Sequence, residues 1–167
     1  MTAPVTASLL EIAAYSDHER RKWRAWVEQD PSRLTTACQP GGRFPTIGAV
    51  FDHVFLVERR HLARLQGAVP PDSTGCGPGD WQALFDYADL VRADYGRYVK
   101  QMDPAEAAET ITFTIPVGTT CTMTRRKLAL HILLHEVRHL AQVALAARAA
   151  GLTPPGEHDL FFFDDFA

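Results

Sequence analysis

Three histidines, His131, His135 and His139, recur every four residues in the stretch TRRKLALHILLHEVRHLAQVALAARAAG, which runs from Thr124 to Gly151. On a helix a step of four residues advances about 40°, so the three imidazoles fall within about 80° of arc. Gln142 lies in the same arc, with Leu128 and Ala146. Neutral imidazoles four apart suit zinc, nickel, iron or copper rather than magnesium or calcium. The surrounding residues, Leu130, Ile132, Leu133, Leu134, Val137, Leu140, Val143 and Leu145, are apolar nearly all round, the pattern of a buried helix. Burying unpaired polar groups is costly, and a metal ion is the partner that suits aligned imidazoles best.

A third ligand must come from elsewhere. His53, flanked by Val50, Val54 and Val57 on a second predicted helix, is the best candidate. The alternative for His53 is a hydrogen-bonded core histidine. His135-Glu136-Val137-Arg138-His139 also spells HExxH, in which two histidines hold zinc and the glutamate activates water. The longer peptidase signature fails, because Gln142 and Leu145 stand where glycine and histidine belong, and Glu157 is the one distant glutamate to consider as a further ligand. Glu136 reads otherwise as a polar residue on the less buried side of its helix. His61 and His18 read as surface positions, His158-Asp159 as a loop pair, and Glu19-Arg20-Arg21-Lys22 as a solvated face.

The elements that must position these groups are helical. The spacing predicts helices over Thr6–Gln29, Ile47–Gln66, Trp81–Met102 and Arg125–Gly151, with Thr6 or Ser8, Thr46, Asp80 and Thr124 as N-caps. Ser8 and Glu11 have the spacing of a capping box. Between the third and fourth helices, Thr110–Pro116 alternates polar and apolar residues, Val117-Gly118-Thr119-Thr120 turns, and Cys121–Thr124 alternates again, which predicts a short hairpin. Four long helices make an all-α four-helix bundle the natural architecture, as one domain spanning 1–167. The tail with Phe161, Phe162, Phe163 and Phe166 is too apolar to hang in water, so it packs on the bundle or joins a homodimer interface.

Composition narrows the function classes. With 17 basic against 20 acidic residues and no basic stripe interleaved with aromatics, nucleic acid is not an expected partner. No apolar run is long enough for a bilayer, so no membrane association is expected. Cys38, Cys76 and Cys121 are odd in number and far apart, with no CxxC. That argues against a disulfide framework and for a reducing compartment. The start of the chain lacks the pattern of a signal peptide. A cytoplasmic protein acting on a small molecule is the expectation.

The chain resembles the DinB/YfiT-like family of small four-helix metal-binding proteins. The resemblance rests on Ile47-Gly48, His53 and Glu58 of the second helix, where a histidine precedes a glutamate by five residues. It rests also on His135, His139 and Gln142 of the fourth. It implies an up-down-down-up bundle in which His53, His135 and His139 ligate a divalent metal (zinc, nickel or iron), and it moves His131 to the pocket wall beside Glu136 and Gln142. It further implies thiol S-transfer with a low-molecular-weight thiol, such as bacillithiol or mycothiol, as cosubstrate. Many members carry His-His-Arg-Gly-Gln where this chain has Arg138-His139-Leu140-Ala141-Gln142. Any substrate role of the absent histidine and Arg-Gly pair is therefore not carried over. Three neutral ligands also leave a coordination position open, as in catalytic zinc sites, so activation of water for hydrolysis is a second chemistry. A non-catalytic metal- or ligand-binding stress-response protein is the reading from another class.

Overall fold

The computed structural model describes residues 6–38, 42–77 and 79–164. Helix α1 spans Leu9–Gln29 and starts where Ser8 closes a capping box with Glu11. The expected start at Thr6 is thus three residues early, because the Ser8 hydroxyl accepts the Glu11 N–H while the Glu11 carboxylate accepts the Ser8 N–H. A turn of 3₁₀ helix, Pro31–Thr35, follows. Helix α2 spans Ile47–Leu65 from the Thr46 cap, and α3 spans Trp81–Gln101 from Asp80. A short α4, Pro104–Ala108, lies where only a break was expected, with Asp103 as its cap and proline at its first position. Strands β1, Thr110–Thr114, and β2, Thr120–Thr124, pair antiparallel with Phe113 opposite Cys121. Gly118 supplies the positive φ that their turn requires. Helix α5, Arg125–Ala149, begins directly after β2, whose last residue, Thr124, caps it.

Side-chain pairs set the directions of the helices. Arg92 reaches back to the Ala13 carbonyl, Arg20 to that of Ala88, and Arg24 to Asp86, so α1 and α3 run antiparallel. Glu58 meets Arg92, and Arg59, one residue on, meets Asp94, two residues on, so the partners advance together along both helices. Phe51 and Phe55 both pack on Phe85. Helices α2 and α3 therefore run parallel, which the long connection between them allows. Arg125 bonds the Leu65 carbonyl while His139 lies beside His53, so α2 and α5 are antiparallel. In chain order the four long helices run up, down, down, up, each packed against two others.

Two apolar clusters fill the bundle. One gathers Trp23, Val27, Phe51, Phe55, Phe85, Leu140 and Val143; the other gathers Leu62, Leu65, Tyr95, Leu128 and Leu133. The hairpin turns Ile111, Phe113 and Met123 onto the second cluster, which supplies the packing that a lone two-stranded sheet lacks. Helix α5 is not buried on every side, since Leu134 is 52% and Leu145 62% exposed. In the tail, Phe163 packs on Tyr15 and His18 while Phe161 and Phe162 face outward. Phe166 lies outside the described residues. Among the described residues no helix is long and apolar enough to cross a membrane.

Candidate metal centre

Helices α2 and α5 bring His53, His135 and His139 together, with one ligand atom from each within 4.8 Å of the others. The Nε2 atoms of His135 and His139 are 3.2 Å apart. Two nitrogen donors on one tetrahedral ion, each at about 2.0–2.1 Å, stand roughly 3.3 Å from one another. The His53 Nε2 atom is buried and has no hydrogen-bond partner. A buried polar atom without a partner is costly, and a cation between these rings would satisfy all three nitrogens. The donor set fits a borderline divalent ion.

The ring environments favour the state that metal binding needs. Burial, the Arg43 charge and His139 together push His53 down to about 4. Burial and the adjacent His139 and His53 push His135 down to about 3. Burial also lowers His139, against the upward pull of its bond to Gln142. All three therefore stay neutral near pH 7, with lone pairs free. His139 Nδ1 donates to the Gln142 side-chain oxygen at 2.7 Å, which leaves its Nε2 as the donor atom facing His135. Phe44 of the loop before α2 closes one side, with its ring 4.8 Å from His53 and 5.6 Å from His139.

A buried ionic hub joins the four long helices through Arg20 of α1, Glu58 of α2, Arg92 of α3 and Glu136 of α5, with Asp17 of α1 at its edge. Arg20 of α1 bonds Glu136 at 2.8 Å and Glu58 at 2.6 Å. Arg92 of α3 bonds Glu58 at 2.7 Å and also pairs with Glu136. Ser16 donates to Glu136 at 2.6 Å, and Arg92 also reaches Asp17 at 2.8 Å. Burial pushes Glu136 upward, but the two guanidiniums override it and hold the carboxyl well below the usual carboxylate range.

This hub corrects several expectations. Glu136 does not lie on the less buried side of α5, nor does it line the pocket: it is 1% exposed and its oxygens are engaged by Ser16, Arg20 and Arg92. Glu19 and Arg20 are buried rather than part of a solvated face. His61 is buried too, with its ring 5.3 Å from that of His131. His131 is exposed and stands 5.5 Å from His135, a wall position beside the cluster. His158 is not a free loop residue: it bonds Glu19 and stacks on Trp23. Glu157 is held through its carbonyl by Lys22 and is not part of the histidine group. Cys38, Cys76 and Cys121 are free thiols.

Arg20 and Arg92, which hold Glu58 and Glu136 in the hub, were not expected in the core. Their signal was present, since each interrupts an apolar stripe: Ser16, Arg20, Trp23 and Val27 on α1, and Ala88, Val91, Arg92 and Tyr95 on α3. A charge at a core position demands a partner of opposite sign.

The profile of the DinB superfamily matches residues 15–143, from within α1 to within α5. The chain belongs to the DinB superfamily. No curated protein matches it. The matched span contains all four hub residues and all three clustered histidines, so this DinB protein carries its candidate metal centre inside the family region.

Proposed function

We propose that this DinB protein is a metal-dependent enzyme that activates a small thiol for transfer to an electrophile. The observation that carries the reading is the convergence of three neutral imidazoles, one with a buried and unpartnered nitrogen. A divalent ion held by three neutral ligands keeps its full charge and an open position, and so lowers the pKa of a thiol or water that binds there.

The chain's own residues supply the rest. His53, His135 and His139 would hold the ion, and Gln142 fixes the proton on His139 Nδ1. Phe44 shields one side from water. In the transfer, the thiol proton leaves to solvent, a carbon–sulfur bond forms, and the leaving group departs with its electron pair. Hydrolysis at the same site is the related chemistry, with water in place of the thiol.

The peptidase reading of HExxH loses its base, because both Glu136 oxygens are committed to the buried hub. The direct test is turnover of a small fluorogenic electrophile with low-molecular-weight thiols. Zinc-, nickel- and iron-loaded protein would be compared with chelator-treated protein. Thiol-dependent turnover that vanishes on chelation and returns with metal supports the reading. Stoichiometric metal without thiol or hydrolytic turnover favours a non-catalytic binding protein.

A further inference from the structure

The row of imidazoles does not end at the candidate metal centre. From His135 it continues to His131 across 5.5 Å on α5, and from there to His61 of α2 across 5.3 Å. At its far end Arg64 donates from Nη1 to His61 Nδ1 at 3.2 Å. An arginine can only donate, so His61 carries its proton on Nε2 and is itself a donor there. The Arg64 guanidinium lies over the Phe113 ring at 4.6 Å, and the same ring meets His61 at 5.7 Å. The hairpin thus fixes both groups.

Arg64 is half-buried, yet among the described residues it has no carboxylate partner. Among the described residues its neighbour Arg60 is bound by the carbonyls of Pro71 and Asp72 and has no carboxylate partner. Elsewhere in the bundle the buried cations are matched: Arg20 and Arg92 each pair with two glutamates. A partly buried fork of N–H donors with no anion, beside an imidazole N–H and an exposed imidazole, has the chemistry that recognises a carboxylate.

Resting on the thiol-transfer reading, we infer that Arg64, His61 and His131 form a carboxylate subsite that orients an anionic substrate toward the metal centre. The two ring-to-ring steps set its reach, and a substrate with sulfur and carboxylate about five methylenes apart spans it. The carboxylate belongs either to the thiol or to the electrophile.

The test measures binding by calorimetry to zinc-loaded wild-type protein and to Arg64→Met. The ligands are 6-mercaptohexanoate, 6-mercaptohexan-1-ol and hexanoate, the last with and without saturating 2-mercaptoethanol. If the thiol carries the carboxylate, mercaptohexanoate binds at least about tenfold more tightly than the alcohol of equal length. If the electrophile carries it, hexanoate binds beside 2-mercaptoethanol. In both cases Arg64→Met removes the advantage, leaves the neutral thiol's affinity unchanged and retains full metal content. His131→Ala, at an exposed position, weakens the acids in the same direction and serves if Arg64→Met folds poorly. The subsite is overturned if the acids bind no better than the alcohol, or if their advantage survives both substitutions. Failure of the thiol reading looks different: the alcohol does not bind at all, while hexanoate still binds in an Arg64-dependent way.

Discussion

His139 donates its Nδ1–H to the side-chain oxygen of Gln142, one helical turn on, at 2.7 Å. That bond turns the other ring nitrogen toward His135 and His53. Gln142 itself is exposed, so its work is orientation rather than packing. Replacing Gln142 by Leu is expected to weaken metal affinity by about 10- to 100-fold, the usual cost of losing an outer-shell partner, with little change in thermal stability. Competition against a chromogenic chelator reads the affinity; unchanged affinity would detach Gln142 from the site.

The buried hub predicts a different outcome for Glu136. Glu136→Gln removes one carboxylate from the network in which Arg20 and Arg92 meet Glu58, Glu136 and, at Arg92, Asp17, and leaves Arg20 with Glu58 alone, a carboxylate it shares with Arg92. Breaking one partner of a buried pair costs on the order of 3–5 kcal/mol. Urea denaturation should show a loss of that size, while the folded variant keeps full metal stoichiometry. A variant of wild-type stability would contradict the structural role.

Protonation sets the acid limit of the metal-free protein. The histidine pKa is pushed from 6.5 to about 4 at His53, chiefly by burial with Arg43 and His139 adding, and to about 3 at His135 by burial and its neighbouring imidazoles. His61 falls to about 3 by burial and the Arg64 charge. Below pH 6.5 the unfolded chain takes up protons at these positions and the folded chain does not. Stability therefore falls as pH drops from about 6.5 toward 4, and rises with pH across that window. Denaturant midpoints measured from pH 4 to 8 check the slope. His135→Asn should flatten it, and an unaltered slope would remove His135 from the account.

The same shifts bear on metal retention. Protons compete with the ion for the imidazole lone pairs, and these rings resist protonation well below the range of a free imidazole. Metal is expected to stay bound at pH 5, where an unshifted histidine site would have begun to release it. Dialysis at stepped pH followed by elemental analysis measures the release midpoint.

The sequence carried the bundle and the three clustered histidines, because both depend on local periodicity. Apolar residues at helical spacing defined α1, α2, α3 and α5; Thr46, Asp80 and Thr124 marked the starts of the last three, while the start of α1 was left between Thr6 and Ser8. His53 was legible because valines surround it. What stayed hidden depends on pairing between distant positions. Glu136 is one residue from His135 but meets Arg20 and Ser16 across 116 and 120 positions of chain. Its helix is apolar on so many sides that periodicity could not decide which side it faced. His61 looked like a helix-end surface residue because the hairpin covering it, with Phe113 against its ring, lies some 50 residues away in the chain. Short elements held by caps, such as Pro104–Ala108, carry too few apolar positions to register as a pattern.

In the proposed centre His53, carried on α2, completes a site begun by His135 and His139 on α5. The most direct measurement is elemental analysis of wild-type protein and His53→Ala, purified side by side and shown by circular dichroism to be equally folded. About one divalent ion per chain is expected in the wild type, and a substoichiometric content, lost on brief chelation, in the variant. Full, chelation-resistant metal in His53→Ala would contradict it.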